Sequence, residues 1–435
     1  MKPGSTFQII TMIIFGFFAI LAVLVFSGVF PIFNRGSNSA SGEIVVWGTI
    51  PEEIVAPLFS YITDNNKNLK IVYEEKNAAS FDNNFIEALA SGNGPDLFFL
   101  PQNFILKYED KIMPIPYSSI SERDFKNTYI EEGELYLGAN GILGLPIIID
   151  PMVMYWNRNM FSSEGIPNPP SYWDELATIV PKLSKKDKTG NIIESAISFG
   201  EFKNVSYAKD ILAMLMMQTG NTLILRDNSK IPKVTLLGES GRGIRSADTA
   251  LNFFTEFSDP AKSVYSWNKS LSSGRDSFLG GRLAMYFSFA SEIGSLRSKN
   301  PHLNFDVSEV PRPRGNKIEV NFGRVEAVAI VRASKNINSA FFVANEMAGA
   351  NFAGALAKNL YLPPARRDLL SLRPQDSYLQ FFYDNALVSR GWLDPNPVMT
   401  DQIFGDMVDN VVSGRYRVSE ATSIASQELN KLIQR

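Results

Sequence analysis

Short apolar runs alternate with amphipathic segments in the sixty residues that follow position 42. Residues 43–47, 70–74 and 96–100 predict three strands, and residues 52–61 and 81–90 predict the two helices between them. Strands that alternate with helices favour a mostly parallel α/β sheet. Ligands of such sheets bind beyond the carboxyl ends of the strands, so we expect loops 48–51 and 101–103 to line a site.

The most regular pattern of the chain covers residues 141–176. A glycine- and proline-containing loop precedes an apolar, β-branched run that predicts a strand from about residue 147 to Asn157. Pro169 and Pro170 then lead into a helix, for which Ser171 is the predicted N-cap. The segment therefore indicates a long buried strand followed by a proline-initiated helix.

Further apolar periodicities continue to the C-terminus. Residues 283–287, 305–310 and 325–331 predict strands, and residues 311–317 predict an exposed loop. Helices are predicted in the second half of 200–220, at 240–257, at 338–356 and from 401 onward, with a pause at Ser413 and Gly414. The pattern shows no internal repeat.

The N-terminus differs from the rest of the chain. No charged side chain lies between Lys2 and Arg35, and residues 9–33 are almost wholly apolar. At about 1.5 Å per residue such a helix crosses the roughly 30 Å core of a bilayer. A cleavable signal has a shorter apolar core, so we favour an uncleaved anchor at 1–34 over a signal peptide, with a flexible linker at 35–42.

Composition limits the chemistry. The 435 residues are enough for two to three domains, and 45% apolar with 20% charged residues is a globular composition. A net charge of −3 with scattered Lys and Arg argues against nucleic acid as a partner. There is no cysteine and the single histidine, His302, lies in a loop, so thiol chemistry and cysteine zinc sites are excluded. Neither a phosphate-binding loop nor a nucleophile elbow is present, and we expect no cofactor and no metal.

Five motifs occur in a familiar order. They are a variant of A-x-x-G-x-x-P-D at 88–96, G-I-L-G-L-P at 141–146 with the strand and P-P-S-Y-W-D-E-L after it, F-L-G-G-R-L-A-M at 278–285, and L-P-P-A-R at 362–366. Together they resemble the family 1 extracellular solute-binding proteins, the sugar-binding, maltose-binding-protein-like class that serves ABC importers. The resemblance covers about nine tenths of the chain. Trp156 before Asn157, Tyr172 in place of Thr and Arg282 in place of Lys depart from the family pattern.

The resemblance implies a two-lobe periplasmic-binding-protein type II fold with a hinge, here preceded by one N-terminal transmembrane helix. One lobe would comprise residues 43–148 and about 318–357, and the other about 149–317 and 358–435. The implied function is capture of a small polar solute, with a carbohydrate as the favoured class, for ABC permease subunits. The protein would be a non-enzymatic monomer with its body outside the cell membrane. Two alternatives remain open, a sensing or adhesion module and, less favoured, a polysaccharide hydrolase using an acid pair such as Asp150 and Glu326.

The resemblance also implies a set of ligand contacts. Aromatic rings would pack on the C–H faces of a sugar, and carboxylate, amide and guanidinium groups would pair with its hydroxyls. The predicted residues are Thr49, Gln102, Asn103, Asp150, Tyr207, Asp210, Trp267, Phe289, Arg324, Glu326 and Trp392. Simpler roles are also compatible with the sequence. Trp267 and Trp392 could cap a lobe, Asp150 could cap a turn, and Arg324 with Glu326 could form a surface ion pair.

Overall fold

The computed structural model describes residues 40–239, 245–315 and 319–434. The predicted anchor at 1–34 and most of the linker lie outside these ranges. Across the described ranges, no helix combines the length and the apolar character needed to cross a bilayer.

Strands and helices alternate along the described chain. The strands are β1 Gly42–Gly48, β2 Leu69–Glu75, β3 Leu97–Pro101, β4 Leu137–Gly138, β5 Gly141–Ile142, β6 Leu145–Asn157, β7 Lys185–Lys186, β8 Ile192–Ile197, β9 Ile224–Arg226, β10 Pro232–Val234, β11 Leu283–Phe289, β12 Phe305–Ser308, β13 Asn321–Ile330 and β14 Ser389–Arg390. The α-helices are Glu52–Asp64, Phe81–Ala90, Ile105–Tyr108, Glu122–Thr128, Arg158–Ser163, Leu176–Leu183, Ala208–Gln218, Ser246–Thr255, Gly274–Leu279, Glu292–Lys299, Ile337–Met347, Ala350–Leu360, Arg367–Leu370, Ser377–Val388, Pro397–Val412 and Val418–Ile433.

The main sheet has the strand order β2-β1-β3-β13-β6-β11-β8-β7, with β12 also paired to β6 and β14 to β13. β1 runs parallel to β2 and β3, as the alternating pattern predicts. β13, however, is antiparallel to both β3 and β6, and β11 and β12 are antiparallel to β6. The sheet is therefore mixed, because strands from late in the chain insert between the early ones.

The thirteen-residue strand β6 joins two parts of this sheet. Its residues 145–151 pair with β13, while residues 152–157 pair with β11 and β12. We call the part with β1, β2, β3 and β13 the first half-sheet, and the part with β7, β8, β11 and β12 the second half-sheet. β6 therefore belongs to both half-sheets.

The hydrophobic core includes most of the side chains of helix Ala208–Gln218. Met214, Met216 and Met217 of helix Ala208–Gln218 are all buried, so the methionine-rich segment packs in the core. Trp173 is buried as well, and its Nε1 donates a hydrogen bond to Gln218 Oε1 at 2.7 Å. Both findings agree with a structural role for these residues.

Three local predictions differ from the structure. β13 begins at Asn321, four residues before the predicted start, because Asn321 and Phe322 pair with the late strand β14. The predicted helix 338–356 is two helices with a break at Ala348 and Gly349. Ser171 is not an N-cap. Its backbone N–H instead donates to Glu175 Oε2 at 2.9 Å, so Glu175 satisfies the start of this segment.

Candidate functional site

A cavity of about 670 Å³ lies where the two half-sheets meet, and we call it the cleft. Its walls come from the carboxyl end of β3, from the first residues of β13, from the start of helix Ala208–Gln218 and from the segment before helix Pro397–Val412. Six of the eleven predicted residues line it, namely Gln102, Asn103, Tyr207, Asp210, Arg324 and Trp392. Four separate stretches of sequence thus converge on one cavity.

Arg324 is the central cation of the cleft. Its Nη2 donates to Asp210 Oδ2, and its guanidinium carbon lies 4.0 Å from the ring centroid of Phe289 and 5.1 Å from that of Tyr207. The two rings meet edge to face, with centroids 5.0 Å apart. The Arg324 side chain nevertheless stays 46% exposed, so part of the guanidinium faces the cleft. The alternative surface pair with Glu326 is wrong, because Asp210 is the ion-pair partner of Arg324.

Local backbone geometry positions Tyr207 and Asp210. Tyr207 has φ +59, in the left-handed region that few non-glycine residues adopt, and it directly precedes helix Ala208–Gln218. Such a conformation persists only where the surrounding structure enforces it. Asp210 lies in the first turn of the helix, where the exposed N–H groups favour a carboxylate.

A buried ion pair supports the wall that contains Trp392. Lys209 Nζ donates to Asp394 Oδ2 at 3.0 Å, to the carbonyl of Pro397 at 3.0 Å and to Thr400 Oγ1 at 3.1 Å. Burial raises the pKa of Asp394, although Lys209 opposes this shift. Trp392 is 3% exposed, and its ring lies 6.0 Å from that of Phe404. The indole therefore presents a small, rigidly held part of its surface to the cleft.

Gln102 and Asn103 have different roles in the same loop. Gln102 is buried, with its Oε1 accepting from Val325 N at 3.0 Å and its Nε2 donating to Gly323 O at 2.8 Å. Both ends of this amide are occupied by the backbone of β13, so Gln102 holds β3 and β13 together. Asn103 is partly exposed in the cleft wall and offers a donor and an acceptor there.

Asp150 lies on β6 and Glu326 lies on β13, the neighbouring strand of the sheet. Asp150 is directly opposite Arg324 in the strand register, so both side chains lie on one face of the sheet, as does Glu326 two residues along. Burial raises the pKa of Asp150 to about 6, against the opposing hydrogen bond from Ser291 N and the charge of Arg324. Burial alone raises the pKa of Glu326 to about 7. Neither residue is part of the cleft wall itself.

Three other predicted residues also lie outside the cleft wall. Thr49 is exposed at the end of β1. Phe289 is buried behind the cleft at the end of β11, two residues beyond the predicted end of that strand, and supports Arg324 from below. Trp267 is fully buried, and its Nε1 donates to Asn204 Oδ1 at 3.0 Å. For Trp267 the structure favours the capping role over the ligand-contact role.

Several cleft residues were not predicted from the sequence, namely Phe202, Lys203, Lys209, Asp394, Val398 and Asp401. Val398 is 75% exposed at the first turn of helix Pro397–Val412, which is unusual for an aliphatic side chain. Asp394 lies two residues after Trp392, within the same turn-rich segment. Proximity to a predicted contact was the only signal in the sequence that pointed to it.

The cleft combines flat apolar surfaces with hydrogen-bonding groups. Tyr207, Phe202 and Val398 provide the apolar surface, and Arg324 and Lys203 provide donors. Its volume lies in the range of ordinary small-molecule sites. In the described part of the chain, no group of three or more His, Cys, Asp or Glu side chains is arranged to hold a metal ion.

Comparison with known proteins identifies relatives of this architecture. Residues 48–351 match the sequence profile of the family described as bacterial extracellular solute-binding protein. A sequence relative from Brucella abortus (strain 2308) is 21% identical over 312 residues, which are 68% of this chain and 67% of that protein.

Solved structures share the fold at low sequence identity. The cyclic α-maltosyl-1,6-maltose binding protein of Arthrobacter globiformis superposes with a TM-score of 0.73 at 14% identity, covering 90% of this chain and 99% of its own. The sugar-binding protein MalE of Xanthomonas citri gives 0.72 at 15% identity, covering 90% and 98%. A solute-binding protein of Thermotoga lettingae with bound α-D-tagatose gives 0.63 at 19% identity, covering 90% and 100%. The two-lobe α/β fold of these proteins is therefore the fold of this chain.

Proposed function

Because this chain belongs to the family of bacterial extracellular solute-binding proteins, we propose that it captures a carbohydrate outside the cytoplasmic membrane and delivers it to an ABC importer. Members of the family bind solutes and do not turn them over, so the hydrolase alternative is not retained. The observation that carries the proposal is the cleft of about 670 Å³, lined by aromatic and charged side chains from β13 and from the loops and helices beside it.

The chemistry of the cleft suits a polyhydroxylated ligand. Tyr207 and Phe202 offer ring faces for the C–H surfaces of a sugar. Asn103, Lys203 and the exposed part of Arg324 offer hydrogen bonds to hydroxyl groups, each of which needs a partner once it is buried. Related structures contain ligands that range from the monosaccharide tagatose to maltotetraose, and a cleft of this volume suits a small saccharide.

Closure of two lobes on the ligand would supply the binding energy. We assign residues 43–148 and about 318–357 to one lobe and about 149–317 with 358–435 to the other. The change of partners along β6, between residues 151 and 152, supports a hinge at this point. A ligand that contacts both lobes favours the closed state by its differential affinity for that state.

We also propose that residues 1–34 remain attached as a membrane anchor and that the body is monomeric. The support is the apolar stretch 9–33, which is longer than the apolar core of a cleavable signal. Intact-mass measurement of the protein from a membrane fraction tests this directly. A mature chain that begins after Arg35 would contradict the anchor.

The carbohydrate proposal is tested by a thermal-shift screen of the full chain in a detergent without a sugar headgroup. Mono-, di- and trisaccharides are compared, and the correct sugar should raise the melting temperature in proportion to its occupancy of the folded state. If amino acids or peptides stabilise the protein while no sugar does, the ligand class is wrong.

Trp392→Ala tests whether the cleft is where the sugar binds. Loss of the ring contact should weaken sugar binding by about 1–3 kcal/mol in calorimetric titration. Trp392→Phe and Trp267→Phe are then compared as a matched pair, because Trp267 is also a buried tryptophan but lies outside the cleft wall. Equal effects of the two variants on affinity would argue against our placement of the ligand.

A further inference from the structure

The two faces of β13 contact different parts of the molecule. Phe322 and Arg324 line the cleft. Gly323, between them, faces the opposite way, since a Cβ built on it would lie 2.6 Å from Glu132 Oε2. The alternation of side chains along a strand thus places the cleft on one side of β13 and Glu132 on the other.

The segment after β14 shows the same alternation. Trp392 and Asp394 line the cleft, whereas Gly391 and Leu393 line a second cavity of about 510 Å³. The other walls of this second cavity are residues 131–137 and the hairpin of β9 and β10. We call it the back cavity, because β13 and residues 391–394 stand between it and the cleft.

Glu132 is the most unusual side chain of the back cavity. The residue is 2% exposed, and neither carboxylate oxygen has a hydrogen-bond partner among the described residues. Burial raises its pKa to about 8, against smaller opposing effects of the Gln102 amide and the Arg390 charge. Burying two carboxyl oxygens without a hydrogen-bond donor for either costs free energy. Two glycines make room for it, since a Cβ on Gly391 would lie 2.7 Å from Glu132 Oε1.

Arg226 contributes a second unsatisfied atom to the same cavity. Its Nη1 donates to Lys230 O at 3.0 Å and its Nη2 to Glu109 Oε2 at 2.9 Å. Its buried Nε–H has no hydrogen-bond partner in the described part of the chain. The back cavity therefore presents the two unsatisfied carboxyl oxygens of Glu132 and the unsatisfied Nε–H of Arg226.

The ion pairs in the wall of the back cavity indicate which chemical groups a ligand would need. Arg226 pairs with Glu109, Lys230 with Glu122 and Arg390 with Glu131, so all three cations of the wall already have carboxylate partners. Among the described residues, Glu132 has no cation within ion-pair distance. A group that complements it must bring positive charge and N–H donors together, and a group that complements the Arg226 Nε–H must accept a hydrogen bond.

We propose that the back cavity is a second binding site, for a small molecule that carries an ammonium group next to an oxygen acceptor, as amino sugars and amino alcohols do. Glu132 binds the ammonium group, and Arg226 Nε donates to the oxygen. This site is spatially separate from the cleft, because the two cavities share no lining residue.

The test uses the full chain in the same sugar-free detergent and isothermal titration near neutral pH. Glucosamine and glucose are the matched probes, since they differ only in an ammonium group in place of one hydroxyl. We expect saturable binding of glucosamine that Glu132→Gln weakens at least about ten-fold. Glu428→Gln is the control, because Glu428 is a partly exposed glutamate that pairs with Lys431 and lines neither cavity. It should leave glucosamine affinity unchanged.

A second variant locates the binding without altering the carboxylate. Leu225 lies at the rim of the back cavity and is 38% exposed, so Leu225→Trp should occlude the cavity while preserving the melting temperature. Glucosamine affinity should fall in this variant as it does in Glu132→Gln. Glucosamine that binds equally well to both variants, or not at all to the unmodified protein, overturns the site. Glucose that binds with the same sensitivity to both variants overturns the ammonium requirement.

Discussion

Replacing Arg324 by methionine should destabilise the junction between β13 and helix Ala208–Gln218. The substitution keeps most of the aliphatic length but removes the ion pair with Asp210 and the cation–π contacts with Phe289 and Tyr207. It leaves the Asp210 carboxylate, only 11% exposed, without its cation.

The expected loss in the free energy of unfolding depends on how deeply the Arg324–Asp210 ion pair is buried. Exposed ion pairs contribute about 0–1 kcal/mol, and removing one partner of a buried pair costs about 3–5 kcal/mol. A pair with one half-exposed and one nearly buried member should cost about 1–2 kcal/mol. The ring contacts add about 0.5–1 kcal/mol, so we expect a loss of about 2 kcal/mol in the free energy of unfolding.

The assay is urea unfolding followed by tryptophan fluorescence, in a double-mutant cycle. Arg324→Met, Asp210→Asn and the double variant are compared, and the two single effects should overlap by about 1 kcal/mol. Arg332→Met is the control, since Arg332 is an exposed arginine just beyond β13 and makes no ion pair among the described residues. If Arg324→Met costs no more than Arg332→Met, or if the effects of Arg324→Met and Asp210→Asn simply add, the reasoning about this pair is wrong.

Three further predictions concern groups around the two cavities. The pKa of Glu326 is about 7 in the folded protein against an ordinary 4.5, so the folded state holds this proton more tightly and stability falls as the pH rises between these values. Glu326→Gln should therefore raise the free energy of unfolding by roughly 3 kcal/mol near pH 8 and leave it unchanged near pH 4, and equal effects at both would refute this. Lys209→Met should cost about 3 kcal/mol in urea unfolding, because Asp394 remains buried without its cation, and adding Asp394→Asn should restore part of the loss. Gly391→Ala should lower the melting temperature, since the new Cβ would lie 2.6 Å from Gln102 Nε2, whose amide is already fixed by two backbone bonds. Gly294→Ala, in a helix with open space around it, should raise it by the equivalent of about 0.5–1 kcal/mol, and a loss there would contradict the steric argument.

Much of the first half-sheet could be predicted from the sequence. The first three strands and the two helices between them lie within a few residues of their predicted bounds, because their apolar periodicity is strong and local. The antiparallel insertion of β13 was not predicted. Its partners, β3 and β6, are more than 150 residues earlier in the chain, and local periodicity contains no information about such pairing.

Local sequence was also insufficient to assign the roles of residues in the candidate site. Trp267 and Trp392 both lie among polar and turn residues, so their local sequences predict similar roles. In the structure Trp392 lines the cleft, whereas Trp267 is fully buried with its Nε1 bonded to Asn204. Only the path of the chain around each residue distinguishes the two.

Glu132 shows most clearly how the local sequence and the tertiary structure can differ about burial. Its local sequence, Glu131-Glu132-Gly133-Glu134, is typical of an exposed acidic turn. It is buried because Gly323 and Gly391, from two distant segments, leave room for its carboxylate.

The sequence by itself determined the family, the main strands and helices, and six of the residues that line the cleft, since these depend on motifs and on patterns within a few residues. Tertiary structure alone decided which charges are paired, as in Arg324 with Asp210 and Lys209 with Asp394, and that Glu132 is buried without a hydrogen-bond partner among the described residues. The physical reason is that pairing and burial depend on distances between segments far apart in the chain, which are set only when the sheet assembles.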